Sequence, residues 1–202
     1  MKIKIVAMTI LFAIFVSMQV QAAPVYGYPH QRQSQQQEPG PGMIVREGMT
    51  KLINFMRQEQ RPNPAAVGEF VEVEIAPYFD FAYMAQWAAG PAYRDMDDAQ
   101  RLAVEQKVKE MLLGTLVKRL GSYENQDVRF SRPRRAGQNE VKVKVGILQA
   151  SGYPASIDFR MYQSESGWKV FDVSANGTSA LSYYRRYFAE QQRQRPNWGY
   201  RG

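Results

Sequence analysis

Near residue 128 the hydrophobic period of this chain changes from that of a helix to that of a strand, and no other feature limits its fold so tightly. Upstream, Ile44, Val45, Met49, Leu52, Ile53 and Met56 fall on one helical face. Asn63 before Pro64 predicts a helix start, a capping side chain followed by the one residue whose missing N–H costs nothing there. Ala66, Val67, Phe70, Val71 and Ile75 continue that helix until Pro77 interrupts it. Residues 79–89 read as another short helix closed by Gly90 and Pro91. Asp97 caps a long helix that carries Leu102, Val108, Met111, Leu112, Thr115, Leu116 and Leu120, with Gly121 as its stop. Downstream the period is two. Val128 and Phe130 form a short strand, and Val141, Val143, Val145 and Ile147 alternate with Lys142 and Lys144. Turns at Ser151-Gly152 and residues 164–167 separate this strand from Ile157, Phe159 and Met161 and from a last strand over 168–173. A final helix spans 178–192. This order predicts an α+β domain, a helical part packed on a four-stranded antiparallel sheet with one apolar face.

Outside that domain the composition shifts. Residues 1–22 read as a signal peptide: Lys2 and Lys4 precede a run of 14 almost wholly apolar residues, 5–18, and small residues follow at Ala22 and Ala23. A spanning helix needs about 20 apolar residues, so the run is too short for an anchor. Residues 23–42 are rich in Gln, Pro and Gly and read as a flexible leader, and 193–202 as a flexible basic tail. The folded domain is therefore 43–192. Removing the first 22 residues takes away two lysines and no acid, which lowers the net charge from +7 to +5. Such basicity suits anionic lipid surfaces or nucleic acid, and export argues against nucleic acid. The chain has no cysteine, so the domain holds together without disulfides, as a periplasmic protein with a sizeable core can.

The residues also limit the chemistry. The only histidine, His30, lies in the leader, so the folded domain has no Ser-His-Asp or Cys-His site and no metal site built on His or Cys. Asp97-Asp98 is adjacent on a helix and does not converge; Glu69, Glu72 and Glu74 read as a solvated stripe. Asp80 and Asp172 have aromatic neighbours, and each is expected to be a capping or paired acid before it is a base. Asn176-Gly177-Thr178 matches a glycosylation sequon, with little weight in a bacterial chain. Apolar bulk is the strongest signal: Tyr78, Phe79, Phe81, Tyr83, Met84 and Trp87 in one run, and Tyr183, Tyr184, Tyr187 and Phe188 in the last helix. Periodicity does not separate a filled core from a hollow one.

Several of these runs resemble one family. Residues 77–85, PYFDFAYMA, resemble the PYxDFxxMA signature of the MlaC family, periplasmic phospholipid-binding proteins also called toluene-tolerance auxiliary proteins. Residues 90–94 with Gln100-Arg101 are similar to its short loop and the start of its long helix, and residues 167–173, GWKVFDV, to its GWKVYDV strand. Asn176-Gly177-Thr178-Ser179, Tyr184-Arg185 and Phe188 resemble its closing helix. The match keeps its order from about Met43 to Gln192. Departures are Asn-Gly-Thr-Ser for the family's Glu-Gly-Val-Ser, Tyr93 for its tryptophan, and the Gln-rich leader and Arg-rich tail.

The resemblance implies a nuclear-transport-factor-2-like sheet joined to a helical part, with an apolar lipid cavity between them. It implies a monomeric, non-catalytic phospholipid carrier that needs no cofactor. Such a carrier shuttles between an outer-membrane lipoprotein complex and the substrate-binding ring of an inner-membrane ABC transporter. The side chains predicted to wall the cavity are Tyr78, Phe81, Met84, Met111, Leu112, Val143, Val145, Phe159 and Trp168. Arg132, Arg134 and Arg135 are the candidate docking residues for headgroups or an acidic partner, with a solubilising loop as the plainer reading. Two rival functions stay open: an apolar-cavity enzyme using Asp80 or Asp172 as base, and a solid envelope adaptor.

Overall fold

A computed structural model describes residues 39–58, 62–148 and 155–194. The predicted signal peptide, most of the leader, the Ser151-Gly152 turn and most of the basic tail lie outside them.

The first helix, α1 (Pro41–Met56), starts two residues inside the expected leader, because Pro41 already supplies helical φ at its first position. Next comes α2 (Pro64–Phe70), where Asn63 Oδ1 accepts the Ala66 N–H at 2.9 Å. The helix then widens into a π-helical turn over Val71–Ile75 and tightens into a 3₁₀ turn over Ala76–Tyr78, so Pro77 ends it as predicted. Helix α3 (Phe81–Ala89) begins later than expected, since Phe79 runs alongside a strand and Asp80 is the cap. In α4 (Asp98–Leu120), Asp97 and Gln100 form a reciprocal capping box.

One expectation for α4 needs correction. Leu102 is 56% exposed, while Val104 and Leu113 are buried in its place. Gly121 is the C-cap of α4, as expected, with φ −56°.

The sheet has six strands, not four: β1 (Val128–Phe130), β2 (Arg134–Arg135), β3 (Glu140–Ile147), β4 (Ala155–Ser164), β5 (Gly167–Ala175) and β6 (Thr178–Ser179). Both additions are two-residue ladders, too short to leave a periodic signal. All the ladders are antiparallel, with β1 and β2 on the outer edge of β3 and the path continuing β3-β4-β5-β6. Asn176 (φ 47°) and Gly177 (φ 84°) form the two-residue turn into β6, where both residues must be left-handed. The sequon's asparagine is thus a hairpin residue. Its side chain also accepts the Ser156 N–H at 2.9 Å. The last helix, α5 (Ala180–Gln194), follows β6 directly and runs two residues past the expected start of the tail.

Register divides the sheet into two faces. Val128, Phe130, Val141, Val143, Val145, Phe159, Met161, Val170 and Trp168 share the apolar one, and α1 crosses it with Val45 buried against it. A second, larger cluster lies among α2, α3, α4 and α5 and takes in Leu52 and Met56 from the far end of α1. Helix α1 therefore spans both clusters with one apolar stripe.

Candidate functional site

The two clusters meet at the chain segment from Pro77 to Asp80. Phe79 pairs with Val170 of β5 and packs on both clusters; the Asp80 N–H donates to Val170 O at 3.0 Å. At this seam opens a groove of about 500 Å³, within the range of small-molecule sites. Its walls are Ile44, Glu47 and Lys51 of α1, Val73 and Glu74 of the π-helical turn, Pro77 and Tyr78, and the β4–β5 turn with Trp168 and Lys169. Ile44 and Trp168 also pack on the sheet cluster, so the groove continues onto the apolar sheet face. That face is only partly covered. Val143, Val145, Met161 and Val170 are buried, while Val141, Phe159, Trp168, Val173 and Phe130 keep part of their surface open.

Polar groups gather at the mouth. Lys51 Nζ lies 3.2 Å from Glu74 Oε2 and 3.6 Å from Glu47 Oε1, and 5.7 Å from the centre of the Tyr78 ring. Tyr78 donates its phenol to Glu47 Oε1 at 3.0 Å. The hydrogen bond to Glu74 raises the Lys51 ammonium above its ordinary range, and burial followed by the bond to Glu47 raises the Tyr78 phenol. In the same groove, Lys169 Nζ donates to the Pro77 carbonyl at 2.8 Å.

The nine predicted wall residues are distributed over the groove, the sheet face and the helical cluster. Tyr78 and Trp168 line the groove. Val143, Val145 and Phe159 lie on the adjoining sheet face. Phe81, Met84, Met111 and Leu112 pack instead in the helical cluster, with Met84 fully buried. Ile44, Glu47, Lys51, Val73 and Lys169 were not among the predicted wall. The Glu47–Lys51 pair has the i,i+4 spacing of an ion pair on one helix face, the only local signal that marks them.

The two acids of interest are structural. Asp80 Oδ1 accepts the Tyr83 N–H at 2.8 Å, which caps α3, and its other oxygen accepts the Tyr162 phenol. Asp172, 1% exposed, caps α5: it accepts the Leu181 N–H at 3.1 Å and the Ser179 hydroxyl at both oxygens, with Arg160 at 3.6 Å. Glu72 and Glu74 of the acidic stripe pair with Lys109 and Lys51. The three candidate docking arginines diverge. Arg132 is in the link after β1, and register puts Arg135 and Arg134 on opposite faces of β2, all exposed. Among the described residues no group of three or more His, Asp or Glu could hold a metal ion, and no helix is long and apolar enough to cross a membrane.

Fold and groove together define an α+β protein with an apolar site at the seam between a helical part and a sheet. A solved structure of the same fold is a phospholipid-binding protein from Ralstonia solanacearum in complex with a phospholipid. It is 24% identical, with a TM-score of 0.68 over 76% of this chain and 87% of that one. The family model described as MlaC protein matches residues 46–200, and the chain belongs to the MlaC family. It is accordingly a non-catalytic lipid carrier of the Mla lipid-transport system, which sets aside the enzyme with Asp80 or Asp172 as base.

Proposed function

We propose that this chain carries one phospholipid across the periplasm, with its acyl chains running from the groove at Tyr78 and Trp168 along the half-covered sheet face. The observation that carries this reading is that partial cover: Val141, Phe159 and Trp168 leave apolar surface open beside a groove that already exists. Two acyl chains hold roughly 30 CH₂ groups, and at about 0.8 kcal/mol each the cost of bringing them bare into water is about 24 kcal/mol. A bilayer supplies the same apolar term, so exchange with a membrane leaves only a small net difference, and transfer needs no chemistry. The fold shared with a phospholipid-bound protein supports the choice of ligand. The family supports the periplasm, the export segment, and delivery between an outer-membrane lipoprotein complex and the ring of an inner-membrane ABC transporter.

Partner docking is best supported on the outer edge of the sheet. Between residues 128 and 148 stand Arg129, Arg132, Arg134, Arg135, Lys142 and Lys144, all exposed, against a single acid, Glu140, which pairs with Arg160. Register puts Arg129, Arg134, Lys142 and Lys144 on the polar face. This is the surface that matches an acidic partner.

The test of carriage is organic extraction of mature protein purified gently from an envelope. About one phospholipid per chain is expected. Lipid-free protein that takes up none from vesicles would sink the reading.

A further inference from the structure

We infer that the groove mouth selects zwitterionic phospholipids over anionic ones, because it is lined by a net-negative carboxylate cluster and by a separate lysine. This rests on the carriage reading above and concerns which headgroup that site takes. One wall holds Glu47 and Glu74 around the single ammonium of Lys51, a net charge of −1, with the Tyr78 ring beside them. The same groove holds Lys169, which bonds only to the Pro77 carbonyl and has no carboxylate partner among the described residues. A phosphodiester with a terminal amine matches that polarity. Its phosphate goes to Lys169, whose remaining ammonium protons are free to donate, and its amine goes to the carboxylates and the face of Tyr78. Lys51 already shows that the acidic wall accepts an ammonium: it sits between two carboxylates and against an aromatic ring. An anionic headgroup has a phosphate for Lys169 and no cation for Glu47 and Glu74. Glycerol hydroxyls there leave the two carboxylates facing a ligand of net negative charge.

The proteins to compare are the full mature chain, the Glu47→Gln/Glu74→Gln variant and the Lys169→Met variant. All three side chains are solvent-accessible, so the variants should fold, and circular dichroism checks that they do. Each is incubated with vesicles of equimolar phosphatidylethanolamine and phosphatidylglycerol at low ionic strength, re-isolated and extracted. Mass spectrometry then gives the ratio of the two bound lipids. The natural chain should favour the ethanolamine lipid about fivefold, the net scale of one solvent-exposed ion pair. The double Gln variant should bind the two lipids at a ratio near one whatever its total loading, and a Glu47→Asp/Glu74→Asp variant should keep the preference. Lys169→Met should load less of both lipids at an unchanged ratio. High salt should shrink the preference, because the mouth is open to solvent. Equal loading of both lipids by the natural chain, or an unchanged preference in the double Gln variant, would overturn the inference while leaving carriage intact. No uptake of either lipid would overturn carriage itself and this inference with it.

Discussion

The hydroxyl of Ser179 donates to both carboxylate oxygens of Asp172, at 2.9 and 2.8 Å, and this contact joins the last full strand of the sheet to the helix that follows it. The same carboxylate takes the Leu181 N–H, one of the orphan donors at the start of α5. A nearly fully buried acid is thereby satisfied on three sides by groups that need an acceptor.

Asp172→Ala should consequently cost about 2–4 kcal/mol, between the loss of a helix cap and the breaking of a buried ion pair. Asp172→Asn should cost less, because one side-chain oxygen remains to accept. Urea denaturation measures both. Bound lipid per folded chain should not change, since the residue faces α5 and not the groove. Loss of lipid with unchanged stability would contradict the capping role.

Asp80 gives a parallel expectation with a smaller magnitude. Asp80→Asn should lose at most about 1–2 kcal/mol and keep its lipid, and Asp80→Ala slightly more, because the Tyr83 N–H is then left without its acceptor. Loaded natural protein held for hours should return its lipid intact by mass. Lyso-lipid or free fatty acid that disappears in Asp80→Asn would revive the enzyme.

The split of the predicted wall residues between two clusters can be read directly. Met84→Ala should cost about 2–5 kcal/mol as a cavity in a filled core, with lipid retained by the fraction that stays folded. Phe159→Ala and Trp168→Ala should cost less stability, being half-buried, and should release lipid. The paired readouts are melting temperature and extracted phosphorus. The reverse pattern would place the acyl chains inside the helical part.

Changing Arg129, Arg134, Lys142 and Lys144 together to Gln should slow lipid delivery to partner-bearing membranes at low salt. It should erase most of the salt dependence, because exposed charges act over about 10 Å at 0.1 M and about 3 Å at 1 M. The control is four cations on helix surfaces, Lys118, Arg119, Arg185 and Arg186, changed the same way. If both variants behave alike, net charge is at work and not this face.

Stability should fall at alkaline pH. Burial raises the phenols of Tyr162 and Tyr184 above the ordinary value of 10.0, and the Asp80 carboxylate adds to the shift of Tyr162. A folded pKa above the unfolded one means the native state binds more protons above pH 10. The stabilisation is fully present below pH 10 and is lost as pH rises through the folded values. Denaturant midpoints measured from pH 8 upward should stay level and then drop. Tyr162→Phe and Tyr184→Phe should each flatten part of that drop.

The sequence by itself determined the local elements. Caps at Asn63, Asp80 and Asp97, the stop at Pro77 and the alternation over 141–147 all act within a few residues, so they are legible without knowing what packs on them. It also determined which side of each element is apolar, and its motifs carried the family. Only the tertiary structure decided what covers each apolar side. Phe81, Met84, Met111 and Leu112 look like cavity residues in sequence and pack in the helical cluster, because other helices close over them. Tyr78 and Trp168, far apart in the chain, became neighbours on one groove because Phe79 pairs with β5. The two-residue strands β2 and β6 exist only by virtue of the strands they join, so Arg134 and Arg135 could not be assigned to opposite faces before the register was known. Periodicity reports a side chain's direction from its own backbone, and a cavity is a property of the space between backbones.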